Sequence, residues 1–220
     1  MTDRESVDIR TRFRRIVNGL RDPVVVEIGA CVGQDTWWLA LPPVKQCIAV
    51  EPDPRNIAAL AAAILPAVVT VARGAISAER GRRTLWMSAG RASPERPDNT
   101  ASSAILRPTG HLTRHPCYTF GETTEVECWT LDDLYRDFAV EQCDFIWCDA
   151  QGSEADIVRG GQMALARTRY FYCEYIDEDP VNYESQAKLG EWLPFLPGRW
   201  SVVERYADDV LLYNHAFDGR

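Results

Sequence analysis

Four acidic residues lie in or directly after short apolar runs of the sequence: Glu27, Glu51, Asp149 and Glu174. Runs rich in Val, Ile and Phe are typical of strands buried on both faces of a parallel sheet. Ligands of such sheets bind outside the carboxyl ends of the strands, so we expect these four side chains to lie close together. Carboxylates placed in this way can accept hydrogen bonds from hydroxyls, face a cation or take up a proton.

The first apolar run, Val24–Ile28, is followed by Gly29 and Gly33 and then by a predicted helix over 35–41. The spacing is Glu-x-Gly-x-x-x-Gly, which differs from the Gly-x-Gly-x-x-Gly of dinucleotide sites. An acidic residue here would repel a pyrophosphate but suits an amine or another cation. Glycines let the backbone approach a ligand closely. An ordinary strand-to-helix turn with incidental glycines is the alternative for this stretch alone.

The second apolar run, 46–50, ends in Glu51, Pro52 and Asp53. An acidic side chain about 20 residues beyond a glycine turn is the usual partner of ribose hydroxyls. The two signals together favour an adenosine-containing cofactor. S-adenosylmethionine carries an amine and a sulfonium, and Glu27 lies where such charges could be met.

Composition bounds the class of protein. The 220 residues allow one domain with a sizeable core, and we expect a single domain over 1–220. A net charge of −8 argues against a nucleic-acid partner. Seven scattered cysteines without a C-x-x-C pair argue against a disulfide framework and a zinc site, and they fit a cytoplasmic location. No apolar run is long enough to span a membrane, and no signal peptide is evident.

Strand and helix signals alternate along most of the chain. Strands are predicted at 24–28, 46–50, 68–72, 144–147 and 169–175, with two closing antiparallel strands at 200–206 and 210–214. Helices are predicted at 1–22, 35–41, 54–65, from 130, at 154–166 and at 179–194, with Asp53, Thr130 and Ser153 as caps. This order predicts an α/β, Rossmann-like class I methyltransferase fold. Its central sheet is mostly parallel, with helices on both faces and a C-terminal antiparallel β-hairpin.

Residues 77–128 interrupt this alternation as an inserted region on the substrate side. Within it, 88–121 reads as a polar loop that is long for a structureless connection, so it is either functional or poorly ordered. It contains two of the three histidines and two aromatic residues, Tyr118 and Phe120, that could cover a sugar ring. The predicted substrate-binding residues are Ser103, His111, His115, Tyr118 and Glu174.

Five stretches of the chain resemble the FkbM family of S-adenosylmethionine-dependent methyltransferases. They are VEIGACVG at 26–33, VEP at 50–52, GAIS at 74–77, WTLDDL at 129–134 and DFIWCDAQGSE at 144–154. The resemblance covers about residues 24–176 and implies O-methylation of a hydroxyl, often on a sugar or a natural product. Tyr175 stands where relatives frequently have a histidine, which weakens any proposal for a histidine base there.

The resemblance and the residue pattern together predict the site. The predicted cofactor-binding residues are Glu27, Gly29, Ala30, Gly33, Gln34, Asp35, Thr36, Glu51, Pro52, Gly74, Ala75, Ile76, Asp149 and Gln151. A sugar hydroxyl is a poor nucleophile, so a general base should assist, and the predicted catalytic residues are Asp149 and then Glu174. His111 and His115 are alternative bases. We predict no metal site.

Two alternatives to this function stay open at the level of sequence. One is a nucleotide-dependent oxidoreductase, although its usual glycine motif is absent. The other is a non-catalytic module that binds the cofactor and uses the 88–121 segment as a docking surface. The sequence does not indicate the acceptor or the oligomeric state.

Overall fold

A computed structural model describes residues 8–219. Its strands are β1 (Val24–Ile28), β2 (Gln46–Glu51), β3 (Val69–Arg73), β4 (Ala75–Ile76), β5 (Gly81–Gly90), β6 (Tyr118–Trp129), β7 (Cys143–Cys148), β8 (Thr168–Glu174), β9 (Trp200–Arg205) and β10 (Asp209–Asn214). Its helices are α1 (Ile9–Asn18), α2 (Gln34–Leu39), α3 (Pro54–Ala62), α4 (Gly110–Arg114), α5 (Leu131–Asp137), α6 (Glu154–Gly160), α7 (Gln162–Ala166) and α8 (Leu189–Trp192). The first seven residues of the predicted N-terminal helix lie outside the described residues.

The main sheet has seven strands in the order β3-β2-β1-β7-β8-β10-β9. The pairs from β3 to β8 are parallel, while β10 is antiparallel to both β8 and β9. The chain runs outward from β1 to β3 and then returns to place β7 beside β1. The strand order therefore reverses between β1 and β7, and such a switch point is where open α/β sheets bind ligands. The predicted sheet and its closing hairpin are confirmed.

Helices cover both faces of this sheet, as predicted. Along β1, Val25 faces a cluster formed with α1 and α2, and Val26 faces a second cluster formed with α5, α6, α7 and α8. In the first cluster, Phe13 of α1 is fully buried, with its ring edge-on to Trp38 and to Phe145 at 5.3 and 5.0 Å. Loss of such a ring costs about 3–5 kcal/mol. The N-terminal helix therefore packs on the sheet.

The inserted region at 77–128 contains more secondary structure than the sequence indicated. β5 and β6 form a long antiparallel hairpin that joins β4 in a separate three-stranded sheet. Both ends of the predicted loop over 88–121 belong to the strands of this hairpin, and the middle of the loop contains α4. The prediction was wrong at these ends because hairpin pairing depends on contacts between distant residues, such as Gly90 with Tyr118, that local polarity does not reveal.

Two helix predictions need correction. The segment predicted as a helix from 179 stays irregular until α8, because its backbone bonds to a distant segment: Thr109 N donates to Asn182 O at 2.9 Å. The helix predicted over 154–166 is split into α6 and α7 at Gly160 and Gly161. A Cβ on Gly160 would lie 2.5 Å from the Ser77 carbonyl oxygen, so a second chain segment fixes this break.

Candidate active site at the carboxyl edge of the sheet

A cleft of about 490 Å³ lies at the carboxyl ends of β1, β2 and β7, at the switch point of the sheet. Eight predicted cofactor-binding residues line it: Gly29, Glu51, Pro52, Gly74, Ala75, Ile76, Asp149 and Gln151.

Glu51 is buried in the wall of this cleft and is held by backbone and side-chain donors. Its Oε2 accepts from Cys31 N at 2.7 Å, and its Oε1 accepts from Asp53 N at 2.8 Å and from Asn56 Nδ2 at 3.1 Å. Burial raises the pKa of Glu51 to about 7, although these hydrogen bonds oppose the rise. Each carboxylate oxygen has about two acceptor positions, so Glu51 can still accept from a ligand hydroxyl.

Glu27 lies behind the cleft rather than in its lining. It is 1 % exposed, and Thr36 Oγ1 donates to its Oε2 at 2.5 Å. Burial and then the charges of Asp35, Glu51 and Asp149 raise the pKa of Glu27 to about 8, although the hydrogen bond from Thr36 opposes the rise. Glu27 is therefore a buried acid that a nearby cation would return to its ionised form.

The remaining predicted residues of the first turn do not line the cleft. Ala30 and Thr36 are buried beneath it, and Gln34 contributes to a separate surface pocket. Asp35 accepts from Trp38 Nε1 at 2.7 Å and from Arg10 at 3.2 Å, on the side of α1.

The two glycines of this turn serve chain packing in the structure. Gly29 has φ 89°, and a Cβ there would lie 2.0 Å from the carbonyl oxygen of Asp149. Gly33 has φ 86°, and a Cβ there would lie 2.8 Å from Leu60 Cδ2. Protein atoms thus occupy the side of each glycine toward which a Cβ would point, and Gly29 also lines the cleft, so its role in ligand binding stays a prediction.

Asp149 lies at the mouth of the cleft, where Gln151 Nε2 donates to its Oδ1 at 2.5 Å. Although Asp149 is an exposed residue, the surrounding protein removes part of its hydration and raises its pKa; the hydrogen bond from Gln151 lowers the pKa, and the charge of Asp209 raises it. Burial, followed by the charges of Asp149 and Glu154, raises the pKa of Glu174 above its usual range. The charge of one predicted catalytic carboxyl, Asp149, therefore acts on the other, Glu174.

Ser153 does not cap α6 as predicted, because its hydroxyl makes no hydrogen bond to the helix. The side chain is 2 % exposed and lines the cleft, and no partner within residues 8–219 reaches its Oγ. A buried hydroxyl without a partner is uncommon, and it marks a position where a ligand group can complete the hydrogen bonding.

Beyond the end of β8 lies a second, more open cavity of about 870 Å³. Glu174 and His115 both line it, together with Arg114 and Asn182. This cavity brings a predicted catalytic residue and a predicted substrate residue to one surface.

His111 lies beneath this surface in a group of aromatic rings. Its ring centroid is 4.8 Å from that of His115, 6.2 Å from that of Tyr118 and 5.7 Å from that of Tyr183. Burial lowers the pKa of His111 to about 4, and its Nδ1 finds no partner among the described residues. His111 is thus a neutral, buried ring, whereas Tyr118 also lines the surface pocket beside Gln34.

Comparison with known proteins decides the family. A model of the methyltransferase FkbM domain matches residues 27–207. The chain belongs to the FkbM methyltransferase family. It is also 34 % identical over 209 residues to 2-O-methyltransferase NoeI of Sinorhizobium fredii (strain NBRC 101917 / NGR234), a match that covers 91 % of this chain and 84 % of NoeI.

The fold agrees with this assignment. The crystal structure of methyltransferase FkbM from Methylobacillus flagellatus KT matches with a TM-score of 0.53 at 13 % identity. That match covers 88 % of this chain and 44 % of the other, so the chain spans less than half of that protein. The class I methyltransferase fold predicted from the sequence is confirmed.

In this FkbM methyltransferase, part of the predicted acceptor loop lies on the other side of the site. Ser103 lines the same cleft as Glu51, with Thr100 and Ala101 beside it. Ser103 Oγ donates to Asp53 Oδ2 at 2.8 Å, which ties this segment to the start of α3. The segment at 100–105 therefore forms a wall of the cleft that also contains Asp149, and the acceptor role of Ser103 stays a prediction.

Several lining residues escaped the sequence analysis, among them Cys31, Asn56, Thr100 and Ser153. Asn56 follows Glu51 by five residues at the start of a helix, so a search for polar residues on the first turn of α3 would have found it. Cys31 lies between the two glycines of the first turn, whereas Thr100 and Ser153 reach the cleft through the packing of distant segments.

The FkbM methyltransferase shows no metal-binding arrangement of three or more His, Cys, Asp or Glu side chains within the described residues. No helix between residues 8 and 219 is long and apolar enough to cross a membrane. The cytoplasmic location and the lack of a nucleic-acid partner stay predictions.

Proposed function

We propose that this FkbM methyltransferase transfers the methyl group of S-adenosylmethionine to a hydroxyl of a sugar, a glycan or a glycosylated natural product. The observation that carries the proposal is the cleft at the switch point, which brings Glu51, Gly74 and Asp149 into one lining. The similarity of this chain to 2-O-methyltransferase NoeI supports oxygen as the atom that is methylated.

The cleft has the donors and acceptors that an adenosine cofactor requires. Glu51 keeps acceptor capacity for ribose hydroxyls beside its three protein donors. The buried hydroxyl of Ser153 has no partner within the described residues and can bond a polar ligand atom. Ile28, Val50 and Ile76 supply apolar surface for an aromatic base.

A positively charged group is favoured beside these residues. The charge of Asp149 raises the pKa of both Glu27 and Glu174, so a cation beside these carboxyls favours their ionised forms. When bound, S-adenosylmethionine supplies an electrophilic methyl group on a sulfonium that carries this positive charge.

The chemistry proposed for Asp149 is proton removal. As the new carbon–oxygen bond forms, the acceptor hydroxyl loses its proton, and the Asp149 carboxylate accepts it. The carboxylate also holds the hydroxyl in line, which supplies part of the rate through proximity. Glu174, in the adjoining cavity with His115, binds a second hydroxyl of the acceptor. His111 is buried and neutral, so we assign it to support of the acceptor surface rather than to proton transfer.

A transfer assay tests the proposal directly. Purified protein is incubated with S-adenosylmethionine labelled in its methyl group and a panel of glycans and glycosylated small molecules. We expect label to appear as a base-stable ether in at least one acceptor, and to appear about 10²–10⁴-fold more slowly when Asp149→Asn replaces the wild type at equal concentration.

The alternatives give different results in the same experiment. A cofactor-binding module would retain S-adenosylmethionine without transferring label, and Asp149→Asn would then change nothing. An oxidoreductase would bring a nicotinamide or flavin through purification, which mass spectrometry of the native protein would detect.

A further inference from the structure

Two hydrogen bonds join Tyr183 to Asp149 through Gln151. The Tyr183 hydroxyl donates to Gln151 Oε1, and Gln151 Nε2 donates to Asp149 Oδ1. Only one orientation of the amide satisfies both neighbours, because a carboxylate accepts and cannot donate when ionised. Asp149 therefore sets which end of the amide faces it, because the Tyr183 hydroxyl can donate or accept, and Tyr183 holds the other end of the amide in place.

Tyr183 is itself held from several sides. It is 1 % exposed, and its backbone N donates to Gln186 Oε1 at 3.2 Å. Its ring lies against Gly152, where a Cβ would come within 2.9 Å of Tyr183 Cδ2. Gly152 thus makes room for the tyrosine ring above the turn that carries Gln151.

The segment around Tyr183 is hydrogen-bonded to residues 108–111, within the predicted substrate loop. Tyr183 forms an isolated bridge with Pro108, and Asn182 O accepts from Thr109 N at 2.9 Å and from His111 N at 3.1 Å. The tyrosine hydroxyl also lies 3.4 Å from the carbonyl oxygen of Ser102, in the wall of the cleft. Tyr183 thus contacts the segment at 108–111, the cleft wall at 100–105 and the turn after β7 that carries Gln151.

We infer that Tyr183 is a positioning residue for the reaction: through Gln151 it holds a hydrogen-bond donor on Asp149 and so keeps that carboxylate ready to accept a proton. The inference rests on the proposed function for the role of Asp149. The link itself rests on the two hydrogen bonds and on the packing of Tyr183 over Gly152.

The charges around Asp149 show why such a donor is needed. The groups near it are Glu27 from β1, Asp35 from α2, Glu154 from α6, Glu174 from β8, Asp209 from β10 and Tyr183. Five of these six are carboxyls, and each of them, when ionised, favours the protonated form of Asp149. Burial raises the pKa of Tyr183 far above neutrality, so its hydroxyl keeps its proton and stays a donor.

Two cysteine thiols, Cys31 and Cys148, are also titratable groups near Asp149. Burial raises the pKa of Cys31 to about 11 and raises that of Cys148 well above its usual value, so both stay neutral. The side-chain and backbone hydrogen bonds of Gln151 are the contacts that lower the pKa of Asp149. Loss of the amide's orientation would therefore shift Asp149 toward its protonated form.

The test compares Tyr183→Phe with wild type in two measurements. First, the full chain is labelled with ¹³Cγ-aspartate, and the Asp149 signal, assigned by its absence in Asp149→Asn, is followed by NMR against pH. We expect Tyr183→Phe to raise the pKa of Asp149 by about half to one unit, since the amide keeps part of its contact. This readout needs neither cofactor nor acceptor.

Second, kcat is measured against pH with an acceptor from the transfer assay. The acid limb of the profile should move upward by the same amount, with turnover reduced about 3–10-fold below it and equal to wild type above it. KM for S-adenosylmethionine should stay unchanged. A role in packing alone would instead lower kcat at every pH.

Tyr135→Phe is the matched control, because Tyr135 is also 1 % exposed and its hydroxyl lies 2.8 Å from Thr168 Oγ1, away from Gln151. We expect it to leave the Asp149 titration unchanged. Gln151→Ala cuts the same link at its other end, so Tyr183→Phe should add no further shift to that variant.

The outcomes separate the link from the function. An unchanged Asp149 pKa in Tyr183→Phe, or a further shift when it is added to Gln151→Ala, overturns the inference. A shifted pKa with an unmoved pH–rate profile supports the link and refutes Asp149 as the base.

Discussion

Replacing Asp149 with Asn changes one charge and leaves most of the local structure in place. Asparagine keeps Oδ1, so Gln151 Nε2 retains its acceptor and the turn after β7 retains its hydrogen bond. The backbone contact between the Asp149 carbonyl and Gly29 is also unchanged. The variant therefore isolates the ionised carboxylate.

The magnitude follows from what the carboxylate does. A positioned acid or base contributes about 10²–10⁴ to the rate, which corresponds to about 3–5.5 kcal/mol of transition-state stabilisation. Stability should be kept or increase, because the charge of Asp149 raises the pKa of Glu27, Glu154 and Glu174 and its removal relieves their repulsion. We thus expect a folded protein that has lost two to four decades of turnover.

Three measurements check this expectation: single-turnover methyl transfer, calorimetry with S-adenosylhomocysteine, and denaturant unfolding. S-adenosylhomocysteine lacks the sulfonium, so its affinity reports the binding site without the charge that Asp149 faces. The control is Asp209→Asn, which removes another nearby carboxylate that lines neither cavity. Near-native turnover in Asp149→Asn, or an equal loss in Asp209→Asn, would refute the assignment of the base.

Three further predictions concern the cofactor cleft. Glu51→Ala should weaken S-adenosylhomocysteine binding by about 1–3 kcal/mol in calorimetry, since ribose hydroxyls lose their acceptor; unchanged affinity would exclude that role. Ser153→Ala should weaken binding while the free energy of unfolding stays the same, because its hydroxyl has no partner within residues 8–219; a loss of stability without a loss of affinity would contradict this. The pKa values of Glu27 and Glu51 are raised by burial to about 8 and about 7, so their contribution to stability is complete below about pH 4.5 and is lost as the pH rises through these values. Denaturant unfolding of the cofactor-free protein should therefore show Glu27→Gln weakening the decline between pH 5 and 8, and an unchanged slope would be the contrary result.

Local sequence was sufficient to predict most of the sheet and part of the site. The runs before Glu51 and Asp149 are short, apolar and β-branched or aromatic, and their acidic ends follow from strand direction alone. Asp53 and Thr130 were correctly predicted as caps because their side chains bond to the backbone two or three residues ahead. Features that depend on a short run of consecutive residues could thus be predicted from the sequence.

The features that were missed depend on contacts between distant segments. Ser153 fits a capping box by its spacing, yet the structure leaves its hydroxyl in the cleft. Tyr183 stands in a stretch that favours a helix by composition, but 32 residues separate it from Gln151, its hydrogen-bond partner. The wall formed by Thr100 and Ser103 falls in the predicted polar loop over 88–121, because its packing against α3 is not encoded locally.

The contact between Gly29 and the carbonyl of Asp149 has a consequence for how this sequence can diverge. A side chain at position 29 would displace the turn after β7, more than a hundred residues later, so the two positions must change together or remain as they are. A descendant that had abandoned catalysis would still keep Gly29, since the sheet requires it with or without a reaction. Among homologues, the glycine motif therefore traces ancestry of the scaffold, whereas the joint presence of Asp149, Gln151 and Tyr183 would trace retention of the chemistry.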